Sequence, residues 1–379
     1  MMAGAGPALI AVEVGATKIS AAVSSAGGEL LGLAVVPLSG PPDGTPATAE
    51  LSSALRTAVA EANAMAGTRG RRIWLALNGP ALRYRTAKGM VRVAGPGRKV
   101  TRADLERALE AAAPPLPGTI HRLFVGASLD GREVLEDPFG LVGERLEAGL
   151  LLVEVDETHR LGLEEAAAGA GLEIAGFVAG VLALEFVLSP AEREIGTAAI
   201  DLGATHTAAA VYLRGRLRAV AVLGLGGLHV TKDLSVAFGL SRAKAEELKI
   251  AAFSSDGDWR ATPAGKVAAA RLGEILELIR DELALAGWMG RLPGGFVLTG
   301  GGAIPGNVLG LAEEILGGPV RCGFPRLEQV GSMVAGPGFA VILGAAQAVR
   351  AYGKGGGPGV MAKGVARWRS WCLQRLMRT

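Results

Sequence analysis

One pattern occurs twice in the chain, 188 residues apart. Val12-Glu-Val-Gly-Ala-Thr-Lys-Ile-Ser-Ala-Ala-Val23 returns as Ile200-Asp-Leu-Gly-Ala-Thr-His-Thr-Ala-Ala-Ala-Val211. Each copy reads as an apolar strand ending in a carboxylate, a turn of small residues, and a second apolar strand. A further turn follows in each, at Ala26-Gly27-Gly28 and Arg214-Gly215-Arg216, and then a third apolar strand. Two meanders with matching turns imply two domains of related fold that face one another.

The bulk numbers restrict what those domains belong to. With 379 residues, half of them apolar, the chain can bury at least one large core. Aromatics are only 4% while glycine is abundant, which describes tight turns and close packing rather than disorder. No apolar run is long enough to span a bilayer, and Met1–Leu9 lacks the basic start of a signal peptide. Cys322 and Cys372 stand 50 positions apart, which fits a reducing, cytosolic setting and neither a disulfide framework nor a metal site. The net charge of +3 is local: residues 361–379 carry Lys363, Arg367, Arg369, Arg375 and Arg378 with no acid, leaving the rest at −2. A nucleic-acid binder would spread such charge over a groove-facing surface, so no nucleic-acid partner is expected.

Between and after the repeats the chain alternates helix and strand. Thr45–Met65 reads as a helix and Ile73–Leu77 as a short buried strand. Thr101–Ala112 opens as a helix with Thr101 as N-cap and Asp104 at the third helical position. Residues 120–155 read as short strands around the turn-rich Asp137-Pro-Phe-Gly-Leu, and Glu157–Ala170 as a helix with Gly171 at its end. Ser241–Ile250, capped by Ser241, and Lys266–Gly287 read as two further helices. Residues 353–360, Gly-Lys-Gly-Gly-Gly-Pro-Gly-Val, read as a flexible linker.

A carboxylate at a strand end beside a small-residue turn has a definite use. Backbone N–H groups of such a turn can approach phosphate oxygens, and the carboxylate can hold waters of a magnesium ion. Glu13-Val-Gly-Ala-Thr-Lys18 and Asp201-Leu-Gly-Ala-Thr-His206 therefore read as two loops that clamp a polyphosphate. Their candidate contacts are Glu13, Gly15, Ala16, Thr17 and Lys18, and Asp201, Gly203, Ala204, Thr205 and His206, with Glu13 and Asp201 as metal-side carboxylates. A third element, Phe296-Val-Leu-Thr-Gly-Gly-Gly-Ala-Ile-Pro305, runs a buried strand into Gly300, Gly301 and Gly302, where a flat base or a phosphate meets no side chain.

In this order and spacing the three loops resemble the phosphate-1, phosphate-2 and adenosine motifs of the actin and heat-shock-chaperone ATPase superfamily. Within it the chain resembles the FtsA family of bacterial cell-division proteins. Asp137-Pro-Phe-Gly-Leu-Val-Gly-Glu-Arg-Leu-Glu147 is similar to that family's Asn-Pro-x-Gly-Leu-x-Gly-x-Arg segment, found in its extra subdomain, 1C. Ser189-Pro-Ala-Glu-Arg-Glu-Ile-Gly196 is similar to the acidic turn before its second phosphate loop. Gly227-Leu-His-Val-Thr-Lys-Asp-Leu-Ser-Val-Ala-Phe-Gly239 and Ala245-Glu-Glu-Leu-Lys-Ile250 follow in the family's order.

The resemblance implies an α/β, actin-like (ribonuclease-H-like) fold of two related domains with an inserted 1C subdomain. Its division would be 1–79 with 156–190 for the first domain, 80–155 for 1C and 191–350 for the second domain. A linker at 351–363 and a membrane-targeting helix at 364–379 complete it. The resemblance also implies ATP and Mg2+ as ligands, with Gly227 in the site and Glu246 and Lys249 beside ribose and adenine. The function implied is a membrane-anchored scaffold that polymerises and ties the FtsZ ring, through the FtsZ C-terminal peptide, to the cytoplasmic face of the inner membrane at the division site. Other division proteins are expected to bind through 1C.

The second loop departs from the family's Asp-x-Gly-Gly-Gly-Thr. Thr205 replaces the third glycine, His206 the threonine, and Ala208 a later aspartate, while Leu228 replaces an asparagine after Gly227. No side chain is in view to orient an attacking water, so no catalytic residue and at most weak ATPase activity are expected. Only Ala251–Thr262 precedes the next helix, where the family has a longer segment in its subdomain 2B, the region that binds FtsZ.

The end of the chain has its own pattern. Apolar residues at 361, 365, 368, 372 and 376 fall on one helical face. Trp371 and Leu373 flank that stripe, Arg367, Gln374 and Arg378 lie opposite, and Arg369 and Arg375 sit at the margins where long stems snorkel. As a helix 365–379 would be about 22 Å long, too short and too charged to span a bilayer. Val365, Arg367, Trp368, Arg369, Trp371, Cys372, Leu373, Arg375, Leu376, Met377 and Arg378 therefore form a candidate surface for anionic lipid. A groove-binding helix has the same signature. Two other functions share the loops. A pilus-assembly scaffold of the PilM type would lack the terminal helix, and a sugar or acetate kinase would need a carboxylate base that neither loop supplies.

Overall fold

The computed structural model describes residues 8–39, 47–94, 96–114, 116–134, 137–254, 259–303, 307–325 and 336–352. The expected linker residues 353–360 and the tail residues 361–379 lie outside that range. Among the described residues no helix is long and apolar enough to cross a membrane. Two compact units are present, one holding the residues up to Pro80 together with Leu161–Ala348, the other built on Ala81–Arg160.

The first unit contains the repeat as two sheets of the same design. The first sheet takes β1 (Leu9–Val14), β2 (Lys18–Ser24) and β3 (Leu30–Pro37) as an antiparallel meander, with α1 (Thr48–Ala66) crossing to β4 (Arg72–Leu77) beside β1. The second unit, described next, supplies β5 to β8 and α2 in chain order. The first sheet then resumes after α3 (Glu157–Gly169) with β9 (Glu173–Ala179), parallel to β4. The second sheet follows α4 (Pro190–Ile195) and repeats the plan with β10 (Thr197–Leu202), β11 (Thr207–Leu213) and β12 (Arg216–Leu223). The helices α5 (Gly227–Phe238), α6 (Arg242–Phe253) and α7 (Pro263–Leu285) lead to β13 (Phe296–Thr299), α8 (Asn307–Leu316), β14 (Val320–Cys322) and α9 (Ala340–Tyr352).

The strand orders β3-β2-β1-β4-β9 and β12-β11-β10-β13-β14 correspond one to one. So do the registers. Glu13 pairs with Ser20 across the first hairpin and Asp201 with Ala208 across the second, each displaced by the same 188 positions. The chain has an actin-like ATPase fold. Its cores are aliphatic and dense with alanine: Ala198, Ala199, Ala209 and Ala210 are buried in β10 and β11, and the small side chains let helices lie close to the sheet. Leu276 and Ile279 on α7 pack with Ile200 and Leu298 in one such core.

In the second unit the sheet order is β5-β8-β6-β7, all antiparallel, from β5 (Leu82–Arg92), β6 (Thr119–Leu129), β7 (Arg132–Val134) and β8 (Arg145–Val155). Helix α2 (Arg102–Ala112) packs against it through Leu105, Ala108 and Leu109, which share a core with Leu146, Leu150 and Leu152. The expected cap is present: Thr101 Oγ1 accepts the Asp104 N–H, while the Asp104 carboxylate accepts the Thr101 N–H at 2.9 Å. Gly89 makes the helix–sheet contact possible, because a Cβ there would lie 2.8 Å from the Ala112 Cα and overlap the Ala108 carbonyl.

Three expectations need correction. The strands in 120–155 are long, eleven residues each in β6 and β8, because β8 pairs along its length with β6 on one side and with the eleven residues of β5 on the other. Helix α7 starts at Pro263 rather than Lys266, with Thr262 accepting the Gly265 N–H at 2.9 Å, a Thr-Pro start signal that apolar periodicity alone misses. The segment Ser189–Gly196 holds a short helix, α4, between its caps, with Ser189 and Glu192 forming a capping box.

Candidate functional site

The two repeated turns carry the same internal hydrogen bond. The Gly15 N–H donates to the Lys18 carbonyl at 3.1 Å, and the Gly203 N–H to the His206 carbonyl at 3.0 Å. Each turn therefore sets a carboxylate, Glu13 or Asp201, at the carboxyl end of a central parallel strand, and a cation-forming side chain, Lys18 or His206, at the start of the next. The carboxyl ends of parallel strands are where open α/β sheets hold ligands.

Glu13 and Asp201 are both buried, as is His206. Burial pushes the Glu13 carboxyl up to about 7; Lys18 pulls it down, Asp201 raises it further, and His206 opposes that. The charges of the second turn thus act on the buried carboxyl of the first. The His206 Nε2 lies 3.7 Å from an Asp201 carboxylate oxygen and has no hydrogen-bond partner, and neither has the Glu13 Oε2. Two buried polar atoms left unsatisfied in the same site are what a bound ligand would satisfy.

The remaining predicted residues fall in two clusters. In one, Glu246 accepts from Lys249 Nζ and lies 2.5 Å from Thr231 Oγ1, while Lys249 Nζ also reaches the Gly227 carbonyl at 3.3 Å. The α5 N-terminus joins this cluster to the second turn, since the Gly227 and Leu228 N–H groups donate to the carbonyls of Gly203 and Ala204 at 2.9 and 2.8 Å. In the other cluster, Gly300, Gly301 and Gly302 follow β13. Gly300 has φ +86°, and a Cβ there would overlap an Asp201 carboxylate oxygen and lie 2.7 Å from the Leu202 carbonyl. Only glycine fits there. Ala16, Thr17, Ala204 and Thr205 occupy the tips of the turns, with Thr17 exposed.

Among the described residues no group of three or more His, Cys, Asp or Glu side chains is arranged to hold a metal ion by itself. Glu13 and Asp201 make a pair only. That number of carboxylates suits Mg2+, which keeps several waters and takes its other oxygens from phosphate.

Four contributions escape the sequence motifs. Gly79, at φ +68° after β4, leaves room for the His206 ring, whose Nδ1 would lie 3.1 Å from a Cβ. Gly226 lets α5 approach the second turn, where a Cβ would lie 2.7 Å from the Ala204 carbonyl. Thr231 joins Glu246 and Lys249. The turn Pro337–Phe339 reaches both the first turn and the glycine loop: Lys18 Nζ donates to the Gly338 carbonyl at 2.6 Å and the Gly300 N–H to the Pro337 carbonyl at 3.1 Å. The Gly-Gly pair at 226–227 and the Gly-Pro-Gly at 336–338 were the available signals.

Comparison with known proteins gives this geometry a family. Residues 198–344 match the family model described as cell division protein FtsA, and residues 79–154 match the SHS2 domain inserted in that protein. Cell division protein FtsA of Pseudomonas aeruginosa is 29% identical over 350 residues, covering 84% of each chain. That of Bacillus subtilis is 30% identical over 305 residues, covering 73% of this chain and 68% of its own length. Among solved structures, the PilM–PilN type IV pilus biogenesis complex matches with a TM-score of 0.67 at 22% identity, covering 90% of this chain and 98% of the other. MreB5 of Spiroplasma citri bound to AMPPNP matches with a TM-score of 0.51 at 13% identity, covering 90% and 95%. At those identities the two structures speak for the fold alone. The sequence relatives settle the family: the chain belongs to the FtsA family of cell division proteins.

Proposed function

We propose that the chain is an ATP-binding scaffold of bacterial cell division, attached to the inner membrane by its C-terminal tail. The observation that carries the nucleotide reading is the pair of equivalent turns, which hold Glu13 with Lys18 and Asp201 with His206 and leave the buried Glu13 Oε2 and His206 Nε2 without a hydrogen-bond partner. Glu13 and Asp201 would hold Mg2+, which neutralises phosphate charge. Lys18 and His206 would donate to phosphate oxygens, Gly300–Gly302 would lie along the nucleoside, and the Glu246–Lys249 pair would meet the ribose and base. That MreB5, a protein of the same fold, is solved with AMPPNP supports the choice of ligand.

In this reading the domains divide as 1–79 with 156–190, 80–155 and 191–350, followed by the linker expected at 351–363, whose first two residues instead close α9, which runs to Tyr352, and by the tail 364–379. The body polymerises with further copies of itself, binds the FtsZ C-terminal peptide, and meets other division proteins through the inserted subdomain. It works at the cytoplasmic face of the membrane, at the division site, and hydrolyses ATP weakly if at all. Tail attachment is tested by flotation with vesicles containing anionic lipid. The full chain should float, and a chain ending at Val360 should stay at the bottom. Equal flotation of both would remove the anchor from the account.

A further inference from the structure

Nothing in the phosphate and adenosine loops calls for the half-buried turn at Gly336–Phe339, yet it touches both. At one end the Lys18 ammonium donates to the Gly338 carbonyl at 2.6 Å and lies 5.2 Å from the centre of the Phe339 ring, a cation–π contact. At the other end the Pro337 carbonyl accepts from the Gly300 N–H at 3.1 Å and from the Thr299 hydroxyl at 3.3 Å. The turn is closed on itself by the Phe339 N–H and the Gly336 carbonyl at 3.2 Å. Helix α9 starts at the next residue, Ala340. It is packed into the body, with Ala340 and Ile342 fully buried, and a Cβ on Gly344 would lie 2.8 Å from that of Ala183.

From this geometry, and resting on the nucleotide reading above, we propose that the Pro337–Phe339 turn is a nucleotide-responsive clamp. A bound nucleoside triphosphate locks it, and with it the start of α9, through Lys18 at the phosphate end and Gly300 at the nucleoside end. An ammonium has three donors, and the described bonds of Lys18 use one of them, so a phosphate oxygen can be taken up while the Gly338 bond is kept. Charge-assisted bonds to phosphate are shorter and stronger than bonds between neutral groups, so the nucleotide fixes the Lys18 side chain where it already holds the turn. Phe339 is a positioning residue: it keeps the ammonium over its ring and beside the Gly338 carbonyl. The clamp therefore links occupancy of the site to the last helix of the described chain without any large rearrangement.

Hydrogen exchange on the full-length protein, with and without saturating ATP and Mg2+, tests this, with occupancy measured separately by the fluorescence of a labelled ATP analogue. The expected result is at least fivefold slower exchange in peptides covering Thr299–Gly302 and Pro337–Val341 when ATP is bound. Phe339→Leu, at ATP concentrations that still fill its site, should reduce that protection at least threefold. Lys18→Met, at ATP concentrations that still fill its site, should abolish it. Bound ATP with unchanged or faster exchange at the turn overturns the clamp, and so does full protection in both variants. Absence of ATP binding in the unaltered protein is a separate outcome, which overturns the nucleotide reading and the clamp with it.

Discussion

Glu13 shows at the level of one side chain what the site costs the empty protein. Its carboxyl is held near 7 by burial, so the folded chain favours the neutral acid while the unfolded chain ionises near 4.5. A raised folded-state value contributes stability that is full below 4.5 and is lost as the pH rises through 7. At roughly 1.4 kcal/mol per pKa unit the loss approaches about 3 kcal/mol by pH 8. Glu13→Gln should therefore unfold at higher denaturant than the unaltered protein at pH 8, and at about the same denaturant at pH 4.5. The gap between the two proteins, read as a function of pH, isolates this one group. On the proposed function, the same substitution should also remove Mg2+-dependent nucleotide binding.

At the scale of elements, two contacts hold neighbouring pieces in place. Arg321 on β14 grips the Glu192 carboxylate of α4 with two nitrogens, at 2.5 and 2.6 Å, and also reaches the Val187 carbonyl at 3.0 Å. That guanidinium, with the Ser189 cap, holds Glu192 down at about 2. Arg321→Ala should cost about 1–2 kcal/mol at neutral pH, the value for bonds to charged groups reduced by solvent screening of a half-exposed guanidinium. A depressed value contributes stability present above 4.5 and lost as the pH falls through 2, so the difference in urea midpoint should shrink over that window. In the inserted unit, Gly89→Val drives a side chain into the backbone of α2 and should lower stability by about 2–3 kcal/mol, seen as a fall in the urea midpoint. The capped starts at Thr101 and Ser241 were legible in the sequence because capping is a local interaction, whereas the one at Thr262 was hidden by an apolar periodicity that begins later. The length of β6 and β8 was not legible, since it rests on pairing between distant strands.

For the molecule as a whole, the repeat carried most of what the sequence could say. A shift of 188 residues predicted two matched hairpins, and register and strand order agree with it pair by pair. The site was legible to the same extent: residues within a repeat, or in a glycine run, came out of the pattern. Gly79, Gly226, Thr231 and the Pro337–Phe339 turn did not. Their roles depend on which distant segments meet, and nothing local marks a Pro-Gly pair at 337–338 as the partner of a lysine 320 residues earlier. The departures at Thr205 and His206 gained a physical meaning only with the fold, where Gly79 makes space for the imidazole and its Nε2 is left without a partner. The central claim is that the two turns together hold a magnesium nucleotide. Titration calorimetry of the full chain with ATP tests it most directly, in Mg2+, in chelator, and with Asp201→Ala. The account predicts one ATP per chain, with affinity lowered at least tenfold, about 1.4 kcal/mol, both by removing Mg2+ and by the substitution. No binding, or binding that neither change weakens, would contradict it.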